Sequence, residues 1–106
     1  GNRAPATLEA KVVYDADKLD SVGAVGIGRA FLFAGEVGAK LHNHDTDIHA
    51  TSAYSEEDTA YREFTVKLKN IKDKMLTRDG RRVAEERHEF MVSFFERLDA
   101  EVDGKV

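Results

Sequence analysis

The chain has 106 residues, of which 34% are charged, with a formal net charge of -4 and no cysteine. That length allows one small domain with a modest core. The lack of cysteine excludes disulfides and thiolate metal sites and fits a reducing cytoplasm. The acidic balance argues against broad attraction to nucleic acid, no apolar run approaches the roughly 20 residues that span a bilayer, and the first residues lack the layout of a signal peptide.

A single proline and long stretches of helically spaced apolar residues predict an all-α protein, a helical bundle forming one domain over residues 1–106. Gly1 to Ala4, which open on glycine rather than methionine, carry little meaning for the fold. Pro5-Ala6-Thr7 reads as a loop ending in a cap, with Glu9 in the first turn of a helix running from about Leu8 to Ser21. On that helix Val12, Ala16 and Leu19 form one stripe, expected to be buried. Asp17 lies at the edge of the stripe and Asp20 close to the same side. A carboxylate at the border of a buried face is costly without a cationic partner, which a metal ion, an arginine or a phosphate-bound cation would supply. Asp15 points away and is expected to be a surface acid.

Gly23, Gly26 and Gly28 follow, in an order that is neither a P-loop nor a dinucleotide fingerprint. Glycine costs about 1 kcal/mol relative to alanine inside a helix, so close packing or a break near Gly23 is expected. Arg29 then faces solvent or the acidic site, and Phe31, Leu32 and Phe33 are expected in the core. The segment ends near Ala34 to Gly38. Residues 39–54 read as a polar loop. Its His42, His44, Asp45, Asp47 and His49 have metal-ligand chemistry, but no helical spacing holds them together, and these residue types also populate ordinary turns.

Ser55 with Asp58 resembles a helix cap. Tyr61, Phe64, Leu68, Ile71 and Met75 then step by three and four residues along one apolar stripe. Lys67 and Lys72 flank that stripe. Thr77 is placed to cap a last helix from about Arg78 to Glu101, whose broad apolar face includes Val83, Ala84, Phe90, Met91, Phe94, Phe95, Leu98 and Val102. His88 falls among these positions and reads as a border histidine rather than a ligand. Asp103 to Val106 should fray.

The run Thr7 to Arg29, with Asp15-Ala16-Asp17-Lys18-Leu19-Asp20 at its centre, closely resembles the C-terminal half of HD-domain metal-dependent phosphohydrolases. The resemblance continues through Lys67-Leu68, Ile71 to Met75, Thr77, Gly80 and Ala84 to Met91, leaving a variable loop at about residues 36–56. It implies a four-ligand metal site made of a His, a His-Asp pair and a later Asp. The later Asp corresponds to Asp17; the other three belong to helices upstream of residue 1. His44-Asp45 is not that His-Asp pair, because it follows Asp17 in the chain. Lys18 stands where the family usually carries arginine, which weakens any bidentate contact there.

The implied chemistry is hydrolysis of a nucleotide or other small phosphate ester, with a metal-bound water as nucleophile and nearby cations neutralising the phosphoryl oxygens. In that reading Asp17 is the metal ligand, Asp20 orients a water or a ligand, and Lys67 and Lys72 meet substrate phosphate. One or two carboxylates fall short of the three protein ligands usual in a catalytic zinc site. A divalent ion is therefore expected only with the missing half present, and the chain alone is expected to be inactive. The alternative is a noncatalytic helical module whose uncovered faces, with Phe31, Phe33, Phe64, Phe90, Phe94 and Phe95, close on a second copy as a homodimer or on a complementary N-terminal half.

Overall fold

The computed structural model describes residues 5–106, so the reading of Gly1 to Ala4 lies outside the described residues. Four α-helices follow in order: α1 (Leu8–Leu19), α2 (Gly23–Glu36), α3 (Ala60–Val66) and α4 (Arg78–Val102). Two 3₁₀ segments, Ile48–Ala50 and Leu68–Lys74, lie between α2 and α4. The architecture is all-α, as the apolar spacing predicts, with no strand among the described residues.

The long helix α4 is the backbone of the bundle, packing against α1, α2 and the second 3₁₀ segment. Val22, Ile27, Ala30, Leu68, Ile71, Met75, Ala84, Met91 and Phe95 form the core. The stripe from Tyr61 to Met75 is thus internal, as its spacing implies, although the chain forms two short pieces there rather than one helix. The change comes at Lys67, whose backbone (φ -128°, ψ -56°) breaks the α register. The cap also differs from expectation. Thr59, not Ser55, starts α3, its hydroxyl accepting from Arg62 N at 3.0 Å. Asp58 instead forms an ion pair with Arg62 at 3.2 Å and accepts from Tyr54 N at 2.8 Å, which closes a separate turn.

The glycines after α1 have two distinct reasons. Gly23 adopts φ +74° at the start of α2, and a Cβ there would lie 2.9 Å from the Arg87 stem, so both backbone and space favour glycine. At Gly26 a Cβ would overlap the Ser21 carbonyl. Arg87 completes this corner by donating from Nη1 to the Leu19 carbonyl at 2.8 Å, satisfying one of the free acceptors at the end of α1.

The phenylalanines are mostly accommodated inside the bundle. Phe95 is buried, while Phe31, Phe64 and Phe94 pack against the core. Phe33 makes an edge contact with Tyr54 at 5.8 Å. Phe90 is half exposed and Leu32 is exposed, contrary to the expectation of a core position for Leu32.

Candidate functional site

The main correction concerns α1. Its expected buried stripe faces outward: Val12 (52% exposed) and Ala16 are open and Leu19 is half-buried, with Leu8 exposed one turn before them. Asp15, expected on the surface, is 3% exposed. The reason lies in what α1 packs against. Its inner side meets the start of α4, where free backbone N–H groups need acceptors. The Asp15 carboxylate accepts from Leu76 N (2.8 Å), Thr77 N (2.8 Å) and Thr77 Oγ1 (2.6 Å). Thr77 in turn accepts from Gly80 N at 2.9 Å, so a two-residue relay caps α4. Burial works against the charge of Asp15, but the hydrogen bonds from Thr77 and Leu76 and the nearby Arg81 outweigh it and hold the pKa below the ordinary value. This acid is the structural clasp between α1 and α4.

The outward face of α1 therefore combines Leu8, Val12, Val13 and Ala16 with the exposed carboxylate of Asp17. Among the described residues Asp17 has no hydrogen-bond or ion-pair partner. Beside this face a groove of about 750 Å³ runs between α1 and the start of α4, lined by Leu8, Val12, Ala16, Leu19 and Val83.

Asp20 is the C-cap of α1, and its carbonyl accepts from Arg29 Nη1 at 3.4 Å. Arg29 and Lys67 line a cleft of about 180 Å³ together with Ser21, Gly26 and Glu63. Glu63 approaches Lys67 to 3.9 Å. Lys72 does not line this cleft. It contacts Asp73 at 3.3 Å and lies near His88. Burial, with the charge of Lys72, pushes the His88 pKa down, and the ring stacks on Phe64 at 6.1 Å, as suits a border histidine. Of the predicted residues, then, Lys67 shares a cleft with Arg29, while Asp17 and Lys72 stand elsewhere on the surface.

The polar loop holds a cluster that spacing alone did not bring together. His42 and His44 stack with ring centroids 4.8 Å apart and planes 16° from parallel. His42 Nε2 lies 2.6 Å from Asp99 Oδ1, and His44 Nε2 lies 2.9 Å from Asp103 Oδ1. The hydrogen bond to Asp103 raises the His44 pKa. The residue between them, Asn43, is buried, donating to the Glu57 carbonyl at 3.0 Å and accepting from Thr59 Oγ1 at 2.6 Å. The carboxylates are some sixty positions downstream, so local sequence carried no signal of the pairing.

No family model matches the chain. It is 44% identical over 100 residues to the uncharacterized protein YpgQ of Bacillus subtilis, a match covering 94% of this chain and 43% of that protein. A crystal structure of YpgQ in complex with ADP aligns with TM-score 0.73 at 43% identity, covering 92% of this chain and 45% of that one. An HD-superfamily hydrolase from Bacillus thuringiensis aligns with TM-score 0.78 at 32% identity, covering 92% of this chain and 47% of that one. The chain spans about half the length of these relatives.

Proposed function

We propose, from the HD-domain-like helical fold that this chain carries, that it is part of a metal-dependent phosphohydrolase acting on a nucleotide or other small phosphate ester. The observation that carries the reading is the outward face of α1, where a carboxylate without a partner among the described residues sits in exposed apolar surface. A face of that kind fits helices from outside these residues, which would cover Val12 and Ala16 and bring further ligands to Asp17. Asp17 alone does not hold a catalytic ion, since such sites take about three protein ligands. It fits as one oxygen ligand among several.

The bound divalent ion would supply an acidified water and neutralise phosphoryl charge. This chain's own contribution is threefold. Asp17 offers a ligand oxygen. Arg29 and Lys67 offer two cations to phosphate oxygens across one cleft, with the Glu63 carboxylate 3.9 Å from Lys67. Asp20, with its carbonyl tied to Arg29, fixes the turn that separates Asp17 from the cleft. Lys72, beside Asp73 and His88, lies outside this cleft. The ADP complex of YpgQ supports a nucleotide phosphate as the first substrate class to test.

The test is a screen of nucleoside di- and triphosphates and simple phosphate esters with Mg2+ or Mn2+, comparing the protein at its native length with its Asp17→Ala and Lys67→Ala variants. The reading requires divalent-dependent turnover that Asp17→Ala abolishes and Lys67→Ala lowers mainly through substrate binding. Turnover insensitive to Asp17→Ala would refute it.

A second reading rests on the groove beside α1. Leu8, Val12, Leu19 and Val83 make an apolar surface suited to a complementary half or a second copy of the chain. A metal-free, stable homodimer by light scattering would favour a noncatalytic module.

A further inference from the structure

We infer that His42, His44 and Asp99, with Asp103 in reach as a fourth ligand, form a binding site for a divalent transition metal of the zinc class, separate from Asp17. One donor atom from each of His42, His44 and Asp99 lies within 4.8 Å of the others. A tetrahedral ion with bonds of about 2.0–2.2 Å brings its ligand atoms to roughly 3.4 Å apart, so the widest pair needs to close by at most about 1.4 Å. The ligand types are right, imidazole with carboxylate.

Three features set this cluster apart from an ordinary surface group of charges. First, it is pre-positioned. Asn43, between the two histidines, is pinned to Glu57 and Thr59, which fixes the His-x-His segment against the bundle. Second, the His42 side chain is 2% exposed, and its Nδ1 is buried without a hydrogen-bond partner among the described residues. An unpartnered ring nitrogen in a side chain this deeply buried is a polar group in want of a partner. Third, the carboxylates stand at the wrong end of their helix. Asp99 is in the last turn of α4 and Asp103 is its C-cap, where no basic residue occurs in the last turn. The helix dipole is already negative there, and a cation is favoured. Two neutral imidazoles, two carboxylates and one divalent ion leave the site with no net charge.

The site would tie the loop after α2 to the far end of α4, closing a segment of about sixty residues. Its chemistry does not involve the Asp17 face, so it stands or falls independently of the proposed hydrolase activity.

The experiment is Zn2+ titration of chelator-stripped protein, read by calorimetry and by thermal unfolding. Wild type is expected to bind Zn2+ saturably and to gain melting temperature with it. His44→Ala and Asp99→Asn, both at partly exposed positions, are expected to weaken binding by more than about tenfold. His49→Ala, which controls for stray imidazole, is expected to leave this binding unchanged, and Asp17→Ala is expected to keep the part of it that depends on His44 and Asp99. Absence of saturable binding overturns the inference. So does binding that survives both His44→Ala and Asp99→Asn, or binding that is lost with Asp17→Ala.

Discussion

Replacing Asp15 by alanine tests the clasp between α1 and α4. The side chain is 3% exposed and accepts three hydrogen bonds, from Leu76 N, Thr77 N and Thr77 Oγ1. A hydrogen bond to a charged group contributes about 1.5–3 kcal/mol, and a buried donor left unpaired costs about 1–3 kcal/mol. Some of the three donors will recover water, because they lie near the groove beside α1. The expected net loss is about 3–5 kcal/mol, a large share of the roughly 5–15 kcal/mol that holds a domain together. Asp15→Asn keeps the volume and one acceptor oxygen but turns an amide NH2 toward the Thr77 donors, and is expected to cost about half as much. Urea unfolding followed by circular dichroism at pH 7 measures both.

Acid adds a sign to the test. The folded-state pKa of Asp15 is depressed below its ordinary value of 3.8. Its contribution is therefore complete above that value and is lost as pH falls through the lower, folded-state pKa. The gap between wild type and Asp15→Asn should narrow below pH 3.8. An Asp15→Ala loss under about 1 kcal/mol, or a gap to Asp15→Asn that does not change with acid, would refute the clasp.

Gly80→Ala inverts a general rule. Alanine normally stabilises a helix by about 1 kcal/mol over glycine, but a Cβ at Gly80 would overlap the Asp15 carboxylate and meet Thr77 Oγ1 at 2.8 Å. This variant should melt lower than wild type, as thermal denaturation will show. Arg87→Ala removes both the bond to the Leu19 carbonyl and the stem packed over Gly23. A loss of about 1–3 kcal/mol is expected in chemical denaturation, well above that of Arg97→Ala, whose pairing with Glu101 is exposed. The raised pKa of His44 means that its pairing with Asp103 stabilises fully below 6.5 and is lost as pH rises through the higher, folded-state value. In chelator, the stability gap between wild type and His44→Ala should therefore be larger at pH 5.5 than at pH 8.5.

The parts of this fold that were legible in sequence are those fixed by local rules. Thr7 and Thr77 cap the helices they precede, Gly23 breaks the chain where a positive φ is needed, and the Tyr61 to Met75 spacing marks core positions. Spacing did not reveal which neighbour each stripe meets. The Val12-Ala16 stripe is real but faces outward, because the side of α1 turned to α4 is selected by the unpaired N–H groups at Leu76 and Thr77. Those groups call for a carboxylate rather than an apolar side chain, so Asp15 and Asp17 exchange the environments expected of them. Ser55 and Asp58 had the residues of a cap but were taken by a turn that Arg62 completes. The histidine cluster was illegible for a different reason: its carboxylates come from the end of α4, and only the packing of the loop onto that helix brings them close.

The most direct test of the hydrolase reading is divalent-dependent hydrolysis of a nucleotide phosphate by the protein at its native length, wild type against Asp17→Ala. Asp17 is exposed and unpartnered among the described residues, so the variant should fold, losing only the stability that a bound ion confers. The account predicts Mg2+- or Mn2+-dependent turnover that falls by far more than about tenfold in the variant. Equal turnover by the two proteins, or none from wild type with either ion, would contradict it.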